Sequence, residues 1–216
     1  MVRDVIHIVD YGCGNLASIA NMLQKLRAPC RIVSDAVDLR SAKRIILPGV
    51  GTFDSGMHGI RNRGLREVLD AKALDEKVPV LGICLGAQLM TRGSEEGVEE
   101  GLGWLKADTV LFDFARRQVD PLPLPNIGWR QVDVVENRFD SSCVQDVDPA
   151  RFYFVHKYHF EADPGIVWMS SRYGFDFPCA LKSGNLMCVQ FHPEKSHRFG
   201  KRLLEWFAGS AEEQAA

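Results

Sequence analysis

Short apolar runs of β-favouring residues alternate with stretches of helical spacing from the start of this chain to Gly101, and that alternation admits few folds. Val5-Ile6-His7-Ile8-Val9 leads into the glycine-bearing turn Asp10-Tyr11-Gly12-Cys13-Gly14-Asn15. Leu16, Ile19, Ala20, Leu23 and Leu26 then recur at helical intervals. Ile32-Val33 and Arg44-Ile45-Ile46-Leu47 read as further strands, the latter stopped by Pro48-Gly49-Val50-Gly51. One helical pattern follows through Met57, Ile60, Leu65, Val68 and Leu69. Val78-Pro79-Val80-Leu81-Gly82-Ile83 is the next strand, and Leu85 to Met90 opens a helix. Strands buried on both faces and separated by helices predict a mainly parallel sheet with helices on each side.

Beyond Gly101 the texture changes. Strand-like runs at Thr109–Phe112, Val132–Val135, Arg151–Val155, Val167–Ser170 and Leu186–Phe191 are separated by the turn-rich segments Asp120–Pro125 and Asp146–Pro149. This predicts a more antiparallel second half within one domain over residues 1–208. A last helix passes through Phe199, Leu203, Leu204 and Phe207. The small, polar residues 209–216 read as a disordered tail. A chain of 216 residues with 46% hydrophobic residues can bury an ordinary core. Its 26 basic and 28 acidic residues leave a net charge of -2, which gives no electrostatic reason for a nucleic-acid or membrane partner. Met1-Val2-Arg3-Asp4 lacks the order of a signal peptide, so a cytoplasmic protein is expected. Cys13, Cys30, Cys84, Cys143, Cys179 and Cys188 show neither C-x-x-C nor zinc-ligand spacing. They read as reduced thiols, and no metal or cofactor is called for.

One of those thiols stands apart. Gly82-Ile83-Cys84-Leu85-Gly86 is a G-x-C-x-G sequence where a strand becomes a helix, the thiol counterpart of a nucleophile elbow. A sharp turn there forces Cys84 outward, and glycines flank it because Cβ atoms would strike neighbouring backbone. The helix start directs partial positive charge at the sulfur and favours thiolate. The Leu85 N–H can donate to a developing oxyanion. An isolated cysteine is more often a buried apolar residue; the two glycines argue for the elbow. Val189-Gln190-Phe191-His192-Pro193-Glu194 closes a strand, which Pro193 ends for want of an N–H. Positions two apart in an extended chain share a side, so His192 and Glu194 can serve one site. His192 would act as base and acid toward the thiol, with the carboxylate of Glu194 holding the ring. His7, His58, His156, His159 and His197 have no such partner and are read as structural or interfacial.

Gly82-Ile83-Cys84-Leu85-Gly86-Ala87-Gln88 followed by Gln190-Phe191-His192-Pro193-Glu194 resembles the class I (triad) glutamine amidotransferases. Asp10 to Asn15, Leu47 to Gly51, Ser94-Glu95-Glu96-Gly97, Ile127-Gly128-Trp129 and Tyr153-Phe154-Val155-His156 are similar to one branch of it, the glutaminase subunits of imidazole glycerol phosphate synthase. The resemblance implies a flavodoxin-like fold and a Cys84 thiolate that attacks the side-chain amide of glutamine. It implies a second oxyanion donor from Gly49-Val50-Gly51 after a peptide flip, substrate binding by Gln88, and a glutamine pocket reaching Lys157 and Tyr158. It implies a heterodimer in which a (β/α)₈ cyclase subunit receives the ammonia. Asn15, Trp129, Tyr153 and Lys195 would belong to the docking face, where aromatic residues are enriched.

The chain departs from that branch at Asn126, usually His, at Arg130, usually Asn, and at Lys157, usually Ser or Thr. Asn21-Met22-Leu23, Phe53 to Met57 and Lys195 to Gly200 look closer to a paralogous branch that supplies ammonia for acetamidino sugars of surface polysaccharides. Two other functions are weighed: an inert regulatory module, for which Lys157 is the only argument, and a stand-alone thiol hydrolase, which would have no use for docking aromatics.

Overall fold

The computed structural model of the protein describes residues 4–135, 139–145 and 149–209. Its first half runs β1 (Ile6–Val9), α1 (Leu16–Lys25), β2 (Cys30–Val33), α2 (Ala36–Leu39), β3 (Arg44–Leu47), α3 (Phe53–Asn62), α4 (Arg66–Asp70), β4 (Val80–Ile83) and α5 (Leu85–Leu89). The second half runs β5 (Ala107–Leu111), β6 (Asn126–Val134), α6 (Ser142–Gln145), β7 (Arg151–His156), β8 (Tyr158–Ala162), β9 (Val167–Tyr173), β10 (Phe175–Ser183), β11 (Leu186–Val189) and α7 (His197–Gly209). Among the described residues nine strands form one sheet in the order β2-β1-β3-β4-β11-β10-β9-β6-β7, and β5 pairs with β8 apart from it. The strands from β2 to β11 are parallel. Those from β11 to β7 are antiparallel. The fold is thus the expected α/β one, with a parallel first half and an antiparallel second.

Alternation along each strand sorts its side chains onto two cores. Ile6, Ile8, Ile46, Leu81 and Ile83 face one core, which Ile19 and Leu23 of α1 and Leu203, Leu204 and Phe207 of α7 complete. Val9, Ile45, Leu47 and Val80 face the other, covered by Phe53, Met57 and Ile60 of α3 and Leu69 of α4. A helix as short as α7 is marginal alone. Its buried Leu203, Leu204 and Phe207 each contribute about 1.5–3 kcal/mol on burial, enough to hold it in place.

The structure changes several sequence expectations. The helical pattern from Met57 to Leu69 is two helices, separated at Arg63-Gly64, where Gly64 takes φ +62°. A π-helical turn, Ala71–Asp75, extends α4. β8 and β10 have no counterpart in the sequence reading. Pro178 conceals β10, being tolerated beside a register shift between Pro178 and Ala180. β6 starts at Asn126, six residues before Val132, because Gly128 at φ +125° interrupts the apolar pattern without ending the strand. β11 stops at Val189, so the ladder ends before Pro193. The residues beyond it bond to two different neighbours: Gln190 N–H donates to Cys179 O at 2.8 Å, and His192 N–H to Tyr153 O at 2.9 Å. α7 extends to Gly209; the rest of the expected tail, 210–216, lies outside the described residues, as do 146–148 of the expected turn at 146–149.

Candidate active site

The sheet order explains how distant segments meet. β11 is the last strand in sequence, yet it lies beside β4 in parallel, with Val189 opposite Ile83. Both strands end at the same edge, and β3 ends next to them at Leu47. Ligands of such sheets bind beyond the carboxyl ends of the strands. Here those ends carry Cys84, the Gln190–Glu194 segment and the Pro48–Gly51 loop.

Cys84 follows β4 directly and takes φ 52°, ψ -109°. A side chain rarely adopts this left-handed region, and the strain marks a nucleophile elbow. The flanking glycines are required as the sequence implied. A Cβ on Gly86 would collide with the Leu47 carbonyl oxygen, and one on Gly82 would come within 2.8 Å of Ala87 Cα. The Cys84 N–H donates to Val189 O at 2.8 Å and ties the elbow to β11. α5 has only five residues, so the charge at its start is that of its unpaired N–H groups more than of a long dipole.

His192 is buried, and its Nδ1–H donates to Glu194 Oε1 at 2.7 Å. The pairing is not made along an extended strand. His192 is extended, but Pro193–Lys195 forms a 3₁₀ turn that folds Glu194 back under the ring. Burial works to lower the imidazole pKa, but Cys84 and Glu194, through hydrogen bonding and charge, raise it to about 10. Nε2 is buried and meets no partner in full hydrogen-bonding geometry among the described residues. The contact of this ring with Cys84 is therefore looser than a fully formed hydrogen bond, a looseness normal before substrate binds. Ser196 holds the backbone here: its Oγ–H donates to His192 O at 2.6 Å and its Oγ accepts from Tyr153 N–H at 3.0 Å.

A cavity of about 250 Å³ opens over these groups. Cys84, Leu85, Gln88, Val50, Gly51, His192, Lys157, Tyr158 and Lys195, all singled out from sequence, line it. Gly49 does not; it packs beneath the loop against Tyr11 and Gly86, with no room for a Cβ. The remaining sequence candidates lie outside the cavity. Asn15 is exposed, and its side chain caps α1 by accepting from Ser18 N–H at 3.3 Å. Trp129 is 40% exposed, stacks on His197 at 5.4 Å and meets Tyr153, its cross-strand neighbour, at 6.3 Å. The Lys195 ammonium lies 5.8 Å from the Tyr153 ring centroid, so one lysine touches both cavity and aromatic face.

A family model, glutamine amidotransferase class-I, matches residues 7–209. The chain belongs to that family. Among its relatives, imidazole glycerol phosphate synthase subunit HisH 2 of Methanococcus maripaludis is 41% identical over 209 residues, covering 96% of this chain and 100% of the relative. The subunit of the same name in Pseudomonas aeruginosa is 41% identical over 204 residues, covering 94% and 98%. A crystal structure of a glutamine amidotransferase superposes with a TM-score of 0.72 at 20% identity, covering 94% of this chain and 98% of that one. PurLQS from Thermotoga maritima gives 0.72 at 17% identity, covering 96% and 99%. Both share the fold.

Three residues that the sequence motifs contain, without a role at the site, also belong to it. Gln190 is wholly buried and donates through Nε2 to Cys84 Sγ at 3.7 Å, while its Oε1 accepts from Gln88 Nε2 at 3.1 Å. It stands two positions before His192, and the period-two argument used for Glu194 would have found it. Glu96 lines the cavity and is anchored by Phe53 N–H at 2.8 Å. His156, read as structural or interfacial, lines it too. Among the described residues no cluster of three or more His, Cys, Asp or Glu could hold a metal ion, and no helix is long and apolar enough to cross a membrane.

Proposed function

We propose that this amidotransferase is the glutaminase subunit of a two-protein synthase, with Cys84 as nucleophile and His192 and Glu194 completing the triad. The observation that carries this is the strained Cys84 sharing one cavity with a buried histidine whose far nitrogen is held by a carboxylate. The Cys84 thiolate attacks the side-chain amide carbon of glutamine, forming a C–S bond and moving the carbonyl electrons onto oxygen. N–H groups of Leu85 and of the Gly49-Val50-Gly51 loop receive that oxyanion. The oxyanion collapses, the C–N bond breaks, and His192 gives its proton to the departing nitrogen, releasing ammonia. Water then gives a proton to His192 and attacks the γ-glutamyl thioester, yielding glutamate and returning the thiolate. Glu194 keeps Nδ1 protonated so that Nε2 serves the reaction. Gln190 supports the thiolate by donating to sulfur, and Gln88, Lys157 and Tyr158 hold the amino-acid end of the substrate.

Ammonia released into water becomes ammonium and loses its nucleophilicity. A glutaminase of this kind therefore docks its cavity face on the enzyme that consumes the ammonia. Trp129, Tyr153, Lys195 and Asn15 are our choice for that face, and a (β/α)₈ cyclase subunit in a cytoplasmic heterodimer is our choice of partner, following the names of the relatives. The acceptor reaction is then imidazole glycerol phosphate formation in histidine biosynthesis. Two observations favour a second reading, ammonia for an amidinated sugar: relatives numbered as a second such subunit, and the segments Asn21-Met22-Leu23, Phe53 to Met57 and Lys195 to Gly200. The test is to assay Cys84→Ala with each candidate acceptor subunit. Glutamine-dependent product formation is expected to vanish with the true partner while ammonium salts still support it. Undiminished glutamine hydrolysis by Cys84→Ala sinks the proposal.

A further inference from the structure

We propose that Asn126 and Arg130 are positioning residues for the glutamine-binding wall of the cavity, acting through His156. The proposal rests on the glutaminase reading above and concerns a part of the site for which neither residue has a role in that mechanism. Lys157 and Tyr158 sit at the bend between β7 and β8 and line the cavity beside Val155, His156 and Pro125. The His156 side chain spans that bend: its Nδ1 lies 2.7 Å from the Tyr158 carbonyl oxygen. A carbonyl only accepts, so the ring proton is on Nδ1 and Nε2 is left as an acceptor. Asn126, its cross-strand neighbour, fills that need through Nδ2 at 3.0 Å. The other end of the Asn126 amide, Oδ1, accepts from Arg130 Nε at 3.0 Å.

The direction of this chain is fixed at both ends. A guanidinium only donates and a carbonyl only accepts, so Arg130, Asn126, His156 and Tyr158 have a single consistent arrangement. Asn126 is wholly buried and His156 nearly so, where an unmade hydrogen bond is costly. Arg130 is fixed from outside: its guanidinium carbon lies 4.9 Å from the Tyr173 ring centroid, and its other nitrogens reach the carbonyls of Ile127 and Trp129 at 3.4 and 3.5 Å. Phe112, Phe154 and Phe177 enclose the imidazole. Burial lowers its pKa to about 3, and the charges that also bear on it, from His159, His192 and Arg130, further disfavour a second proton. The neutral, single-tautomer ring therefore sets where the Tyr158 carbonyl, and with it the Lys157 bend, stands. Asn126, Arg130 and Lys157 are the very positions at which the sequence departs from the family pattern. In the structure the first two are joined by hydrogen bonds to the wall that carries the third.

The test is the glutamine dependence of hydrolysis in the complete complex with the acceptor subunit. Asn126→Asp keeps the shape but cannot donate to Nε2, so the bend loses its fixed support. KM for glutamine is expected to rise about tenfold with kcat within about twofold, the effect of one buried hydrogen bond on substrate affinity. Ring-nitrogen NMR of His156 should show its single proton moved from Nδ1 to Nε2 in that variant, toward the new carboxylate and off the Tyr158 carbonyl. Arg130→Ala, at a partly exposed residue, guards against a folding failure at Asn126 and is expected to raise KM about threefold. Unchanged KM in folded Asn126→Asp and Arg130→Ala, or loss of kcat at constant KM, overturns the proposal while leaving the glutaminase reading intact. A wild-type complex that hydrolyses no glutamine overturns both.

Discussion

In the proposed mechanism, Cys84 and His192 owe their reactivity to where each is held. The backbone at Cys84 is forced to φ 52°, which places the sulfur beyond the sheet edge, and Gln190 donates to it from below. His192 is buried beside Glu194, and the hydrogen bonds and charges of Cys84 and Glu194 outweigh the desolvation that would otherwise keep the ring neutral. Glu194→Gln tests the charge separately from the shape, since an amide oxygen can still accept from Nδ1–H. Without the negative charge the His192 pKa falls, and the ring is protonated less of the time at the moment ammonia must leave. Glutamine hydrolysis by the complex is expected to lose about 10²-fold in kcat with little change in KM, the scale of one positioned acid–base group. A KM effect alone would instead make Glu194 a substrate-binding residue.

At the scale of elements, the elbow shows why local sequence was a good guide to part of the site. Gly82 and Gly86 are dictated by close contacts within β4, α5 and the end of β3, and such steric demands leave a short, readable motif. Gly86→Ala is expected to cost about 1–3 kcal/mol in a denaturant melt through overpacking against the Leu47 carbonyl, and to displace the sulfur. A variant with wild-type stability and activity would mean that the elbow can open. The pairing of His192 with Glu194 was also legible, although by a turn and not by an extended chain. The wall formed by Asn126, His156 and Lys157 was not. Its partners lie on β6 and β7, and the apolar pattern of β6 begins only at Val132, so the sequence does not place Asn126 opposite His156. β10 was missed because Pro178 in a central strand is acceptable only beside an irregularity that sequence does not display.

Across the whole molecule, the last strand in sequence is inserted next to β4, so Cys84, His192 and the aromatic pair Trp129 and Tyr153 meet at one end of the sheet. His192 N–H bonds to the Tyr153 carbonyl, so a partner seated on Tyr153 would touch the backbone that carries the base. Buried histidines also shape the acid stability of the fold. Burial holds His156 down to about 3 and lowers His159 as well. Between about pH 3 and the ordinary histidine value of 6.5 the unfolded chain binds protons that the folded chain refuses, so stability rises with pH through that window and is lost as pH falls. His192, raised to about 10, has the opposite sign: its contribution is full below 6.5 and declines toward 10. Denaturant midpoints should therefore climb between about pH 4 and about pH 6, and a flat profile would contradict the neutral burial of His156. The proposed reaction turns on one sulfur and one imidazole. The most direct measurement is intact-mass and peptide mapping of the complex after treatment with 6-diazo-5-oxo-norleucine, an electrophilic glutamine analogue. One adduct on Cys84 is expected, absent in Cys84→Ser and formed far more slowly in His192→Asn. Equal labelling of Cys84→Ser, or an adduct confined to another cysteine, would contradict the account.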